Sequence, residues 1–252
     1  MKLTYIFLVL GGVFLFITSF AKQKETVFDF SQKVIDEAIK VHGGKKYKTA
    51  HFKFDFRDKH FEYERSDGNF TYCREYTSKD GRQLKDILKN ENYTHYINEI
   101  HQEKMDPKKE FKYREDLNSV NYFAFLPYFL NDGAVNKKYL GLVDMNDAKY
   151  HKIEVTFQEE GGGVDFQDVY VYWIKDGDFT MDYLAYSFQV NGGGVRFREA
   201  YNPRTVGGIR FQDYINYKHD NKNIPVQQLD EAFLNKELRE LSRIELKNIV
   251  EM

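Results

Sequence analysis

Carboxylates and guanidinium groups crowd the second half of this chain. Residues 159–168 read EEGGGVDFQD, and a second triple glycine opens NGGGVRFREA at Asn191. Nearby stand Asp168, Asp182, Arg196, Arg198, Glu199, Tyr201 and Arg204. Paired carboxylates do general acid and base work when their environments push their pKa values apart. The same residues also read as cross-strand ion pairs on a solvated sheet face, with no chemistry attached.

The glycines invite two sharper readings, and spacing argues against both. A phosphate cradle needs glycines that lead from a strand into a helix N-terminus, whereas each GGG here lies between two alternating strand patterns. A calcium loop spaces its oxygen ligands at alternating positions. Here Glu159 and Glu160 are adjacent, while Asp165 and Asp168 are three apart, on opposite faces of a regular strand. Turn geometry remains, since glycine permits the positive φ that turns and bulges require. The seven histidines never form HExxH or join a CxxC pair, so no metal ligand set is assigned. Ser/His/Asp and GxSxG signatures are missing, and Cys73, in FTYCREY, reads as a small packed residue. No cofactor and no catalytic residue is assigned.

The elements that must position these groups follow from periodicity. FDFSQKVIDEAIKVHGG places Val34, Ile35, Ala38 and Ile39 on one helical face and stops at Gly43-Gly44. From HFKFDF onward the period is two, with Asp67-Gly68 and Asp80-Gly81 as turns; RQLKDIL and NYTHYINEI continue as strands. EFKYREDLNSVNYFAFLPYFLNDGAV is apolar on several helical faces and contains Pro127, which predicts one or two kinked helical segments against the sheet. HKIEVTF, VDFQDVYVYWI, MDYLAYSFQV, VRFREAYN and IRFQDYINY resume the meander. Leu229, Phe233, Leu234, Leu238 and Leu241 return to helical spacing and predict a final helix. Sequential strands with segregated helices indicate an α+β fold with an antiparallel sheet.

Composition narrows the partners. With 37 Lys+Arg against 39 Asp+Glu in 252 residues, the formal charge is −2, without the basic excess of a nucleic-acid binder. Aromatic residues reach 17%, as 19 Tyr, 22 Phe and one Trp, which suits a sheet with a bulky core. At the N-terminus Lys2 precedes the apolar run YIFLVLGGVFLFI and then TSFA, with Ser19 and Ala21 at signal-peptidase spacing. Residues 1–21 therefore read as a signal peptide and residues 22–252 as one domain. Cleavage would deliver the chain to the periplasm or beyond the cell.

The succession VHGG, NSVNYFAFLPYFLNDGAV, KKYLG, KIEVTFQEEGGGVDFQDVYVYWI, MDYLAYSF and GGVRFREAYNPRTVGGIRFQDY resembles a family of uncharacterised secreted proteins of gram-negative bacteria. That family is in turn similar in layout to the LolA/LolB lipoprotein-carrier type of fold. The resemblance implies a strongly curved antiparallel sheet, an incomplete barrel, with helices covering its concave face over an apolar cavity. Relatives sometimes carry a deoxyribose-phosphate aldolase name. A Schiff-base aldolase would need a buried lysine in a βα barrel, a setting this strand order does not supply.

Two readings follow. The first is a periplasmic, non-catalytic carrier for an apolar ligand, a lipid or a lipoprotein acyl chain, with a membrane-associated partner and no nucleic acid. Its candidate lining is Tyr122, Phe123, Phe125, Leu126, Phe129, Tyr172, Trp173, Tyr183, Tyr186 and Phe188, of which strand alternation lets only some face inward. The alternative is a secreted hydrolase or other enzyme using Asp168, Asp182, Arg196, Arg198 and Tyr201.

Overall fold

A computed structural model of the chain describes residues 30–66, 68–160, 166–189 and 192–252. The predicted signal peptide and the first triple glycine lie outside the described residues. Helix α1 covers residues 30–42, and it buries Val34, Ile35 and Ala38 as its spacing predicts. A meander of six strands follows: β1 (His51–Phe56), β2 (Lys59–Ser66), β3 (Asn69–Thr77), β4 (Gln83–Lys89), β5 (Asn92–Ile97) and β6 (Ile100–His101). In β1 alternation sends Phe52 and Phe54 inward, each 1% exposed.

Helix α2 (Pro107–Ala124) interrupts the strands. Asp106 caps it by accepting from the amides of Lys108 and Lys109, and Pro107 occupies the first turn, where its missing N–H costs nothing. The predicted break comes after Ala124, before a short 3-10 turn at Tyr128–Asn131. Strands then resume as β7 (Val135–Met145), β8 (Ala148–Phe157), β9 (Tyr170–Lys175), β10 (Met181–Phe188), β11 (Gly194–Val206) and β12 (Ile209–Lys218).

The C-terminal part departs from expectation. Helix α3 runs only from Leu229 to Leu234, and Leu238 and Leu241 do not continue it. Lys236 takes φ +61°, a left-handed conformation that ends a right-handed helix. The chain then extends as β13 (Arg239–Ile244) and β14 (Leu246–Glu251). Here apolar spacing compatible with a helix is overridden by the open edges of two sheets, which offer unpaired backbone groups.

All strands are antiparallel neighbours in two seven-stranded sheets, ordered β14-β1-β2-β3-β4-β5-β6 and β13-β12-β11-β10-β9-β8-β7. The last two strands join them: β13 pairs with β12 through Tyr214↔Ile244, and after Glu245 the chain crosses to pair β14 with β1 through Phe56↔Leu246. The result is a curved, open assembly with helices on it, as the α+β reading expects. A polar knot holds the crossover. Asp213 Oδ1 accepts from the Leu246 amide and from Arg204 Nη2, both at 3.0 Å, and Arg204 also donates to the Leu246 carbonyl.

The core has three parts. Tyr47, Phe52, Phe54, Tyr63, Phe125 and Phe211 fill the inside of the first sheet, where Phe125 stacks on Tyr63 with ring centroids 3.6 Å apart. Ile35, Leu126, Leu130, Ile153, Tyr172 and Leu184 fill the inside of the second. Trp173, Tyr183, Phe197 and Leu229 form a separate layer on its outer face.

Candidate functional site

Where the last turns of α2 approach the seam between the sheets, the packing opens into a cleft of about 390 Å³. The sheet period builds its floor. Residues 186 and 188 on β10, 196 and 198 on β11, and 212 and 214 on β12 share the inner face, while their odd-numbered neighbours Val195 and Phe197 pack outward. Tyr170 and Asp168 flank them. Val120, Phe123 and Ala124 come from α2, and Phe56, Ile244 and Leu246 come from the strands at the seam. Apolar and aromatic groups make most of the wall.

Three arginines and one aspartate carry the formal charge of the described lining: Arg57, Arg196 and Arg198 against Asp168. Arg198 is 8% exposed. Its guanidinium lies 4.3 Å from the Phe123 ring centroid and 5.2 Å from that of Tyr186, and its Nη2 donates to the Tyr186 hydroxyl at 3.0 Å. Its Nε is buried and without a hydrogen-bond partner among the described residues. Arg196 lies 4.7 Å over Phe188 and donates to the Val195 carbonyl. Gln212 donates to the Met181 carbonyl and to the Tyr214 hydroxyl. Burial pushes the Tyr214 phenol up to about 12, so it stays neutral at physiological pH.

The two sets of residues singled out in the sequence thus meet in part. From the aromatic set, Phe123, Tyr186 and Phe188 line the cleft. Phe125, Leu126, Phe129 and Tyr172 are core residues, and Tyr122 stacks on Phe129 behind the cleft. Trp173 and Tyr183 pack on the outer face beneath α3, where the Trp173 indole donates to Asp230 at 3.1 Å. From the polar set, Asp168, Arg196 and Arg198 reach the cleft. Asp182 accepts from the Tyr150 hydroxyl, and Tyr201 donates to Glu245 at the crossover. Arg204 belongs to the knot at the seam.

This distribution limits the chemistry. Asp168 and Asp182 are not assembled in one cleft, so a pair of carboxylates for acid and base work is not formed there. Among the described residues the strongly buried lysine is Lys152, ion-paired to Asp230 at 2.6 Å beneath α3, away from the cleft. Among the described residues no cluster of His, Cys, Asp and Glu could hold a metal ion, and no helix is long and apolar enough to cross a membrane. What the cleft can do is enclose an apolar group and offer it a cationic end.

Sequence reasoning missed Phe56, Arg57, Val120, Gln212, Tyr214, Ile244 and Leu246 as lining. The period-two signal puts Gln212 and Tyr214 on one face of a strand but does not say which face is concave. Ile244 and Leu246 reach the cleft only because the C-terminal segment is two strands.

The second triple glycine has turn geometry: Gly192, Gly193 and Gly194 have φ of +84°, +67° and +150°. At Gly194 a Cβ would lie 3.2 Å from the Phe188 ring, so the absence of a side chain also lets that ring close the cleft rim.

The chain belongs to a family of unknown function, DUF6503, whose model matches residues 6–246. No curated protein matches it in sequence. Among solved structures it is similar to a LolA superfamily protein, NE2245, from Nitrosomonas europaea, with 9% identity, a TM-score of 0.45, and coverage of 87% of this chain and 92% of that one. It is also similar to a DUF1329 family protein from Desulfovibrio piger, with 7% identity, a TM-score of 0.44, and coverage of 89% and 93%. The lipoprotein LppX of Mycobacterium tuberculosis shares 10% identity at a TM-score of 0.28, over 66% of this chain and 88% of LppX.

Proposed function

We propose that this member of the family binds the alkyl or acyl chain of a lipid-like molecule in the cleft beneath α2 and acts as a carrier rather than a catalyst. One observation supports the reading above others: a cleft of about 390 Å³ walled by Phe56, Val120, Phe123, Phe188, Ile244 and Leu246. That size falls within the roughly 300–1,000 Å³ typical of small-molecule sites. Burying a methylene contributes about 0.8 kcal/mol, so eight of them supply roughly 6 kcal/mol before ordering costs. A chain of about a dozen carbons then reaches micromolar affinity. The same reading has the protein exported after loss of residues 1–21 and working in the periplasm, which N-terminal sequencing of native material checks.

The direct test is calorimetric titration of the purified protein with unbranched alcohols and acids of eight to eighteen carbons. Binding that tightens with chain length until the cleft is filled, and weakens when Val120→Trp occupies the wall, is the expected result. If no chain in that range binds at ~100 µM, a threshold set by affinity arithmetic, the carrier reading is abandoned.

A further inference from the structure

Strongly buried cations among the described residues are few, and they differ in one respect. Arg74, Lys152 and Arg198 are the lysines and arginines below a tenth exposure, at 4%, 9% and 8%. Arg74 donates through Nε and Nη2 to Asp86 at 2.8 and 2.5 Å, and Lys152 meets Asp230 at 2.6 Å. Each carries its counter-charge within the fold. Around Arg198 the protein places two aromatic rings and a phenol hydroxyl, and no described carboxylate within ion-pair distance. Burying a charge without a partner is costly, and buried charges are as a rule paired.

The geometry points to an oxyanion-headed amphiphile as the ligand, its carboxylate or phosphate seated at Arg198 with Arg196 beside it and its chain lying along the apolar wall. The inference rests on the chain-binding reading above and adds the head group to it. Arg198 spends one N–H on Tyr186, and its buried Nε has no acceptor among the described residues, so the planar fork keeps donors for an oxyanion. Phe123 and Tyr186 lie side by side against the guanidinium, and the Tyr186 hydroxyl holds one of its N–H groups, which spares a bound anion part of the entropy of ordering it. Tyr214 lines the same cleft with its phenol kept neutral. Asp168 opposes an anion, but the described lining sets Arg57, Arg196 and Arg198 against it. A cationic head would meet the reverse balance.

The experiment titrates the full chain with four ligands of one chain length: dodecanoate, dodecyl phosphate, dodecanol and dodecyltrimethylammonium, with acetate and inorganic phosphate as chainless controls. The expected order is an anion preference of tenfold or more over dodecanol, with the ammonium weakest. Acetate and phosphate show no binding at millimolar concentration. Arg198→Met brings the ratio of dodecanoate to dodecanol affinity close to one, and Arg198→Lys restores part of it. If Arg198→Met does not fold, Arg196→Met and the salt dependence of the wild-type preference serve instead: the ratio falls with either change.

Equal affinity for dodecanol and dodecanoate overturns the head-group assignment while leaving chain binding intact. An anion preference untouched by Arg198→Met, or by the two substitute measurements, overturns it as well. Inorganic phosphate binding as tightly as dodecyl phosphate overturns it in favour of a free-oxyanion site. Failure of every chain-bearing ligand sinks the carrier reading itself, so the two failures are told apart.

Discussion

Each sheet holds a buried arginine on its inner side, and the two are treated differently. In the first sheet Asp86, fully buried, accepts from Arg74, from Nδ1 of His95 at 2.8 Å and from the Tyr93 hydroxyl at 2.6 Å. Burial and the bond to Asp86 raise the Tyr93 phenol well above its usual range, so it remains a donor. In the second sheet Arg198 has aromatic faces, one hydroxyl and an opening beside it. The first arrangement carries its counter-charge within the protein. The second leaves donors over. The number of buried polar groups thus says less about function than whether their partners lie within the protein.

Removing one partner from the closed cluster gives the largest expected effect. Asp86→Ala leaves the Arg74 charge buried and unpaired, at a cost of about 3–5 kcal/mol. Arg198→Met, by contrast, replaces a charge with no described counter-ion by an apolar side chain of similar length, and is expected to be neutral or to stabilise by ~1 kcal/mol. Urea denaturation of both variants decides. A destabilisation of Arg198→Met as large as that of Asp86→Ala would mean that the cleft arginine is structural too, and the contrast would be lost.

The two phenylalanines at the end of α2 offer a second contrast. Phe125 is fully buried against Tyr63, Phe52 and Phe211, and Phe125→Ala should cost about 3–5 kcal/mol. Phe123, two residues earlier, lies along the cleft, so Phe123→Ala should cost ~1 kcal/mol and weaken chain binding by tenfold or more. Melting curves and dodecanoate titration of the same two proteins separate core from wall. Equal loss of stability in both would count against a preformed cleft.

That pair also marks how far the sequence was legible. Period-two alternation predicts the strands, and it predicts that Arg196 and Arg198 share a face with each other. It does not say that this face is concave, because curvature arises from the pairing of all fourteen strands and from the crossover at Glu245. The apolar run from Val120 to Leu130 predicts a helical segment against the sheet. Which of its rings reach the cleft depends on where α2 ends, and that leaves Phe125 in the core beside Phe123 in the wall. Trp173 shows the same limit from the other side: its strand was evident, but its face was set by α3 and Asp230, 57 residues away in sequence. The two C-terminal strands were hidden because the leucine spacing matches a helix, while β13 and β14 are mostly exposed edge strands that carry no period-two alternation to announce them.

A titration extends the comparison to a group buried in its neutral form. His42, 1% exposed at the end of α1, accepts from the Met181 amide through Nε2, and burial, with the Arg210 charge adding to it, lowers its pKa from 6.5 to about 3. Below pH 6.5 the unfolded chain takes up a proton that the folded chain refuses. Stability therefore falls as the pH drops from about 6.5 to about 3, at a limiting slope of about 1.4 kcal/mol per pH unit from this group alone. A variant such as His42→Gln should flatten the acid limb of a stability–pH curve by that amount. An unchanged limb would show that His42 is not the group that titrates.

The smallest effect tests the backbone that frames the cleft. Gly193, in the turn from β10 to β11, has φ +67°, and a Cβ there would lie 3.2 Å from the Phe188 carbonyl oxygen. Alanine must accept a left-handed backbone and a close contact with a carbonyl that cannot move without its strand, so Gly193→Ala should cost ~1 kcal/mol. Gly68, also left-handed at φ +83° in the turn from β2 to β3, has open space at the Cβ position, and its alanine variant meets the backbone strain without the contact. The two variants differ in a second respect. Phe188 lines the cleft and carries Arg196 on its ring, so a shift at Gly193 should lower dodecanoate affinity by a few fold while a shift at Gly68 leaves it unaltered. Equal binding in both variants would show that the glycine turn serves chain reversal alone and that the cleft rim does not depend on it.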